Sequence, residues 1–228
     1  MRRYKGWVKE LHIEPSGMVS ARIACPSRAV PQPGRYLLAS WGEAVLSAPL
    51  FLEAGFDDGF LAAPPAAVGW EPGTRLELRG PRGDGFSLPA DTRRLVLAAL
   101  GDTVSRLLPV AESALQQEMA VALFSDAVLP SLPSAMEASP LATLPDALSW
   151  ADFLVLDLPL EEVPRLRDRL EIAGAGPLTC PGQALVLAPM PCAGLAGCGV
   201  CALRTRRGWK LVCEDGPVFP LQDLLEIR

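Results

Sequence analysis

The sequence predicts a chain of three parts: a small antiparallel β-barrel or sandwich, a doubly wound α/β layer, and a cysteine-bearing tail. Three observations predict this. Before residue 91, short apolar or alternating runs are cut by Pro-Ser-Gly, Pro-Gln-Pro-Gly and Glu-Pro-Gly turns, the punctuation of an all-β domain. From Asp91 onward, continuous apolar runs alternate with stretches of helical spacing, which is the signature of a layered α/β sheet. Cys192, Cys198, Cys201 and Cys213 then fall within 22 residues.

In the first part (1–90) the expected strands are Trp7 to Ile13, Met18 to Ala24, Arg35 to Ser40, Phe60 to Ala63 and Arg75 to Leu78. In the second (91–188), Arg94 to Leu100 is an unbroken apolar run fit for a strand buried on both faces. Thr103 to Gln117 carries helical spacing at Val104, Leu107, Leu108, Val110 and Leu115. Met119 to Phe124, Phe153 to Leu156 and Ala184 to Ala188 are further strands, and Glu161 to Glu171 is a charged amphipathic helix. The Pro-, Ser- and Ala-rich stretch from Ala127 to Ser149 is expected to be irregular connection. In the third part (189–228), a Gly/Ala/Cys loop leads to a basic turn at Arg204 to Gly208 and a hairpin strand ending near Cys213.

The 228 residues are 50% apolar and 21% charged, ample for a buried core. A net charge of −5 argues against nucleic acid or an anionic membrane as the main partner, because both select basic surfaces. The basic start from Met1 to Lys5 lacks the apolar core of a signal peptide, and no apolar run is long enough to span a bilayer. A cytoplasmic protein is expected. With one histidine, His12, chemistry that needs several imidazoles is disfavoured.

Clustered cysteines in such a chain point to metal rather than to disulfides. Five residues separate Cys192 from Cys198, two separate Cys198 from Cys201, and eleven precede Cys213. A 2Fe–2S cluster takes four thiolates from a loop that wraps it and a segment that closes it. Ala193, Gly194, Ala196, Gly197 and Gly199 keep that loop small enough for backbone N–H groups to approach sulfur. The plant-type ferredoxin spacing has four residues in its first gap, so the loop here is one residue wider. The alternative is a structural zinc site on the same thiolates, although zinc ribbons favour two separated pairs over three plus one. Cys25 and Cys180 are expected to be buried core thiols.

The segment Met190-Pro191-Cys192 through Cys198-Gly199-Val200-Cys201, followed by Trp209 to Phe219, resembles the iron–sulfur tail of the electron-transfer subunit of NAD-linked dihydroorotate dehydrogenase. The run Val212-Cys213-Glu214-Asp215-Gly216-Pro217-Val218-Phe219 is its most specific part. Pro33-Gly34-Arg35-Tyr36 is similar to the family's Pro-Gly-Gln-Phe, and Gly80 to Phe86 is similar to its Gly-Pro-Leu-Gly-x-Gly-Phe turn. The resemblance implies a ferredoxin reductase-like barrel, a Rossmann-like nicotinamide domain and a 2Fe–2S domain. It also implies electron exchange with a flavoprotein dehydrogenase catalytic subunit, in a hetero-oligomer serving pyrimidine biosynthesis.

Three places depart from that family. Its Arg-Pro-x-Ser flavin stretch is Ala48-Pro49-Leu50-Phe51 here. Its Gly-rich phosphate loop is Leu100-Gly101-Asp102-Thr103-Val104, with one glycine and an aspartate that repels phosphate. Its Cys-Gly-Pro turn is Leu156-Asp157-Leu158-Pro159, and Leu107 to Pro164 contains no Lys or Arg to meet a 2′-phosphate. The expectation is a scaffold that binds NAD weakly or not at all, with FAD left open and Gly83 and Gly85 as the positions where a flavin could approach closely.

The expected function is therefore a 2Fe–2S electron relay with no catalytic residue of its own, its cluster held by Cys192, Cys198, Cys201 and Cys213. A full FAD- and NADH-dependent reductase and a zinc-stabilised interaction module are the alternatives. Asp57-Asp58 and Glu161-Glu162 are read as solvated surface. His12, Trp41, Trp70 and Trp150 are read as structural or surface residues, and Arg204, Arg206 and Arg207 as a basic tip that could dock an acidic partner.

Overall fold

The computed structural model describes residues 2–172 and 180–225. Six strands, β1 (Arg3–Ile13), β2 (Val19–Ala24), β3 (Tyr36–Ser40), β4 (Ala48–Phe56), β5 (Gly59–Ala62) and β6 (Arg75–Arg82), close an antiparallel barrel in the order β1-β2-β5-β4-β3-β6. Alternation sets the register: Tyr4 faces Leu78 and Gly6 faces Leu76 across β1 and β6, and Val8, Ile23, Leu37, Phe60 and Leu78 are fully buried inside. Closure leaves the barrel no free edge, so none of its strands is a template for unwanted pairing.

The second layer is built from β7 (Arg94–Ala99), α1 (Leu108–Gln116), β8 (Ala120–Ser125), β9 (Met136–Ser139), α2 (Leu144–Ala147), β10 (Phe153–Pro159), α3 (Leu166–Arg169) and β11 (Gly182–Leu187). Its strands run parallel. Strand β7 sits inside the sheet and is buried on both faces. Leu95, Leu97 and Ala99 pack with Val104, Leu107 and Val110 on one side, while Val96 and Ala98 pack with Leu144, Leu166 and Leu221 on the other. That two-sided burial is why the strand reads as one apolar run.

The tail adds a hairpin of β12 (Ala202–Thr205) and β13 (Gly208–Leu211), a helical turn α4 (Val212–Asp215), strand β14 (Val218–Pro220) and α5 (Leu221–Leu225). Strand β14 pairs antiparallel with β11 and completes the sheet order β14-β11-β10-β7-β8-β9. The boundary drawn at residue 189 is thus crossed by the sheet itself. The connection after β6 is sewn to the same tail: the Asp84 N–H donates to the Gly216 carbonyl at 3.2 Å, and the Phe86 N–H to the Pro33 carbonyl at 3.1 Å.

Several elements differ from the sequence expectation, each for a local reason. The helix drawn from Thr103 starts at Leu108, with Pro109 in its first turn, where a missing N–H costs nothing. Glu161 to Glu171 is a 3-10 stretch, Leu160–Arg165, followed by the short α3, because Pro164 cannot donate within an α-helix. The strand expected to reach Cys213 stops at Leu211, and Cys213 lies in α4. There the Asp215 carboxylate accepts from the Leu211 N–H and from Lys210 Nζ, both at 2.8 Å. Strands β4 and β9 were not expected.

Candidate metal centre and the cleft between the layers

The cysteine loop turns tightly because its residues are small. Ala193, Gly194, Ala196 and Gly199 all adopt left-handed backbone conformations, with φ of 52°, 70°, 58° and 69°, which bulky or β-branched residues avoid. Gly194 is pressed against the barrel: a Cβ there would lie 3.1 Å from a Leu38 methyl and 3.2 Å from the Arg82 guanidinium. The loop closes on the helical turn through the Val212 N–H, which donates to the Cys201 carbonyl at 3.0 Å.

The four thiols lie close enough to influence one another electrostatically. Cys198 favours the Cys192 thiolate, while Cys201 and Cys192 disfavour that of Cys213. Among the described residues, no three His, Cys, Asp or Glu side chains converge as a site for a single metal ion. Burial raises the Cys192 thiol, but the N–H groups of Gly197, Cys198 and Leu195, with the Cys198 thiol, outweigh it and bring it down to about 6. Burial and the neighbouring Cys201 push Cys213 up to about 12, against the Ala196 N–H that favours its thiolate. Cys201 and Cys213 are buried, while Cys198 is exposed.

Two barrel residues clamp this centre. Tyr36 Oη donates to the Cys213 carbonyl at 2.8 Å, and the Arg82 guanidinium reaches the same oxygen at 3.4 Å. Burial raises the Tyr36 hydroxyl to about 12 against the neighbouring Arg82 charge, so it remains a donor at any physiological pH. Tyr36, Leu38 and Phe51 of the barrel share one apolar core with Cys201, Cys213 and Leu203. The sequence quoted Tyr36 and Arg82 only as parts of motifs. Their long reach to residue 213 had no local signal.

Between the barrel and the sheet lies a buried polar network. Arg106 Nε donates to Asp157 Oδ2 at 2.8 Å, and Arg106 Nη1 to the Pro64 carbonyl at 3.0 Å. Both side chains are buried, at 7% and 1% exposure. Ser105 Oγ donates to Glu14 at 3.3 Å. Glu53, on β4, is raised to about 7 by burial and by the charge of Glu14. Asp157, at the end of the apolar run of β10, has its side chain engaged by Arg106. The interruption of an apolar run by Asp157 was its signal in the sequence.

The glycines named as flavin approaches have a different use. A Cβ on Gly83 would fall 2.4 Å from Pro217 Cδ and 2.5 Å from the Gly216 carbonyl oxygen, and one on Gly85 would fall 2.8 Å from the Pro33 oxygen. Both positions admit close packing of the connection after β6 onto the chain itself. Leu50 and Phe51, where the family has its flavin stretch, are buried apolar residues.

The remaining residues are placed as follows. Cys25 and Cys180 are buried, and burial lifts each to about 11. His12 lies on β1 beside Glu10 at 3.6 Å. Asp58 pairs with Lys9 and Arg22, and Glu162 with Arg165 and Arg169. Trp41 and Trp70 pack edge to face with centroids 5.5 Å apart, and Trp150 lies under Arg94. At the basic tip, Arg207 pairs with Asp223 of α5 at 3.2 Å.

A closed antiparallel barrel joined to a parallel α/β sheet defines the ferredoxin-reductase class of fold, and solved structures agree. The chain superposes on the NADH-dependent reduced ferredoxin-NADP oxidoreductase studied for flavin-based electron bifurcation with a TM-score of 0.72 at 14% identity, covering 96% of this chain and 88% of that one. It superposes on the ferredoxin reductase in carbazole 1,9a-dioxygenase with a TM-score of 0.60 at 16% identity, covering 78% and 68%. For a Neisseria gonorrhoeae ferredoxin NADP+ reductase with bound FAD and NADP the values are 0.56 and 12%, covering 82% and 98%. Residues 190–225, which contain all four clustered cysteines, match the iron-sulfur cluster binding domain of dihydroorotate dehydrogenase B. A search of curated proteins gives no match. The likeness read from the sequence thus holds in both parts, the tail by its family and the body by its fold. Among the described residues, no helix is long and apolar enough to cross a membrane.

Proposed function

We propose that the chain is a one-electron relay whose 2Fe–2S cluster is held by Cys192, Cys198, Cys201 and Cys213 and exchanges electrons with a flavoprotein dehydrogenase subunit. The observation that carries this reading is the match of residues 190–225, with all four clustered cysteines, to an iron-sulfur cluster binding domain. A two-iron centre takes its thiolates from a wrapping loop and a closing segment, which is how Cys192, Cys198 and Cys201 on the loop and Cys213 on α4 are distributed, whereas zinc ribbons favour two separated pairs. The residues present fit the group: small left-handed positions admit backbone N–H groups to the sulfurs, and Cys213 is fixed from the barrel side by Tyr36 and Arg82. When bound, the cluster supplies reversible one-electron transfer. The chain's own part is to hold the ligands, to bury Cys201 and Cys213 from water, and to leave Cys198 on the surface toward a partner.

Nicotinamide chemistry is not assigned to this chain. This reading is supported by the single glycine and Asp102 in the loop after β7, by the buried Arg106–Asp157 pair, and by Ala48 where the resemblance expects an arginine. The proposed assembly is a hetero-oligomer with a dehydrogenase of the dihydroorotate type. Its proposed setting is the cytoplasm, where the six free cysteines persist as thiols or metal thiolates.

The test is anaerobic purification followed by iron and sulfide analysis and visible and paramagnetic resonance spectra before and after dithionite. About two irons per chain and a red-brown colour that bleaches on reduction are expected. A colourless protein with one zinc would overturn the relay. Copurifying flavin that NADH bleaches would replace it with a complete reductase.

A further inference from the structure

Beside the start of β3 and the end of β6 lies a cleft of about 630 Å³ lined by Arg2, Tyr4, Arg28, Gln32, Arg35 and Arg82, and no Asp or Glu lines it. This is an unusual place in a chain of net charge −5. Outside the cleft, six guanidinium groups find carboxylates: those of Arg22, Arg94, Arg106, Arg165, Arg169 and Arg207 form ion pairs. Among the described residues, Arg2, Arg28 and Arg35 have no carboxylate partner. Like charges gathered without counter-charge repel one another, so the cleft is complementary to something outside the chain.

Two further observations point to a ligand. Tyr4 is only 8% exposed, yet its hydroxyl is buried without a hydrogen-bond partner, as is Nε of Arg35. Buried polar groups in native proteins are normally satisfied, and these two line the same cleft. The cationic groups are also held in place. The Arg35 stem packs across Gly85, its Cγ 3.3 Å from where a Cβ would stand. The Arg28 guanidinium lies 5.7 Å from the Tyr4 ring, and Arg82 is anchored on the Cys213 carbonyl.

We propose that this cleft binds a small molecule bearing two or more phosphates. Guanidinium forks match phosphate oxygens two at a time, and the volume lies in the range of small-molecule sites rather than of flat protein interfaces. No residue of β4 and no cysteine lines it, so it is separate from the flavin stretch and meets the cysteine tail through Arg82. Arg82 belongs to both the cleft and the clamp on Cys213, so occupancy would be felt at the cysteine tail.

The test is calorimetric titration of the full chain, as purified, with pyrophosphate and with ADP at low salt. One saturable site per chain is expected, with affinity falling as salt rises. Arg35→Ala and Arg28→Glu should each weaken binding at least tenfold, and Tyr4→Phe several-fold, with circular dichroism and the visible spectrum unchanged. Arg28 is exposed, so its variant tests the site even if Arg35→Ala disturbs packing. Equal affinity for the two probes would locate recognition in the phosphates, and tighter ADP binding would add a nucleoside; both support the site. Absence of saturable heat, or affinities unchanged in the variants, would overturn it. So would binding of a deca-glutamate peptide alone, which would make the cleft a docking surface for an acidic protein.

Discussion

Single residues decide what the interlayer cleft can hold. Arg106 and Asp157 form a buried pair at 2.8 Å, and breaking such a pair leaves an unpaired charge in low dielectric. Asp157→Leu alone is expected to destabilise the chain by about 3–5 kcal/mol, whereas Arg106→Met with Asp157→Leu should come close to neutral; urea unfolding of the three proteins checks both. Glu53 gives a pH signature. Its folded pKa, about 7, stands above the ordinary value of 4.5, so the folded state binds the extra proton between those values. The stability it contributes is present below about 4.5 and is lost as pH rises through 7. Melting temperature should therefore fall across that window in the parent more than in Glu53→Gln, and parallel curves would refute the assignment.

At the scale of elements, the cysteine loop depends on fit as much as on sulfur. A side chain at Gly194 would meet Leu38 and Arg82 in a left-handed conformation, at 3.1 Å and 3.2 Å for its first carbon. Gly194→Val is expected to cut bound iron by more than half while the barrel and sheet keep their circular dichroism. Unchanged iron content would show that the loop seats elsewhere. Much of this level was legible in the sequence. The barrel strands and the two-sided burial of β7 follow from alternation and unbroken apolar runs, which are local. Strand β4 was hidden because Ala48-Pro49 reads as a turn until its neighbours β3 and β5 are known, and β9 because it is a short strand in a Pro- and Ser-rich stretch. The cysteine cluster was visible from spacing alone. The clamp from Tyr36 and Arg82 was not, since a hydrogen bond spanning 177 residues leaves no trace in a window of ten.

For the whole molecule, the proposed relay requires a face through which electrons reach the proposed dehydrogenase partner. Leu195 and Val200 are 71% and 50% exposed on the cysteine loop, beside exposed Cys198. Apolar side chains at such a place are suited to an interface with a partner subunit. Leu195→Ser with Val200→Ser should slow electron exchange with the dehydrogenase several-fold by stopped-flow absorbance, leaving iron content and spectrum as in the parent. An unchanged rate would place docking on another face, such as the basic tip at Arg204.

Strand β14 follows the cysteines in the chain, yet it covers an edge of a sheet laid down before them. During synthesis β11 emerges first and waits with one row of N–H and C=O groups unpaired, the state in which strands recruit strangers. The segment that relieves it arrives only after Cys213 has passed. Capping the sheet and closing the thiol nest are thus consecutive acts of the same few residues. A ribosome that stalls between β11 and β14 would leave an adhesive half-made body, and on the proposed function prompt delivery of iron and sulfide to the nascent tail would protect that body as well as a cluster.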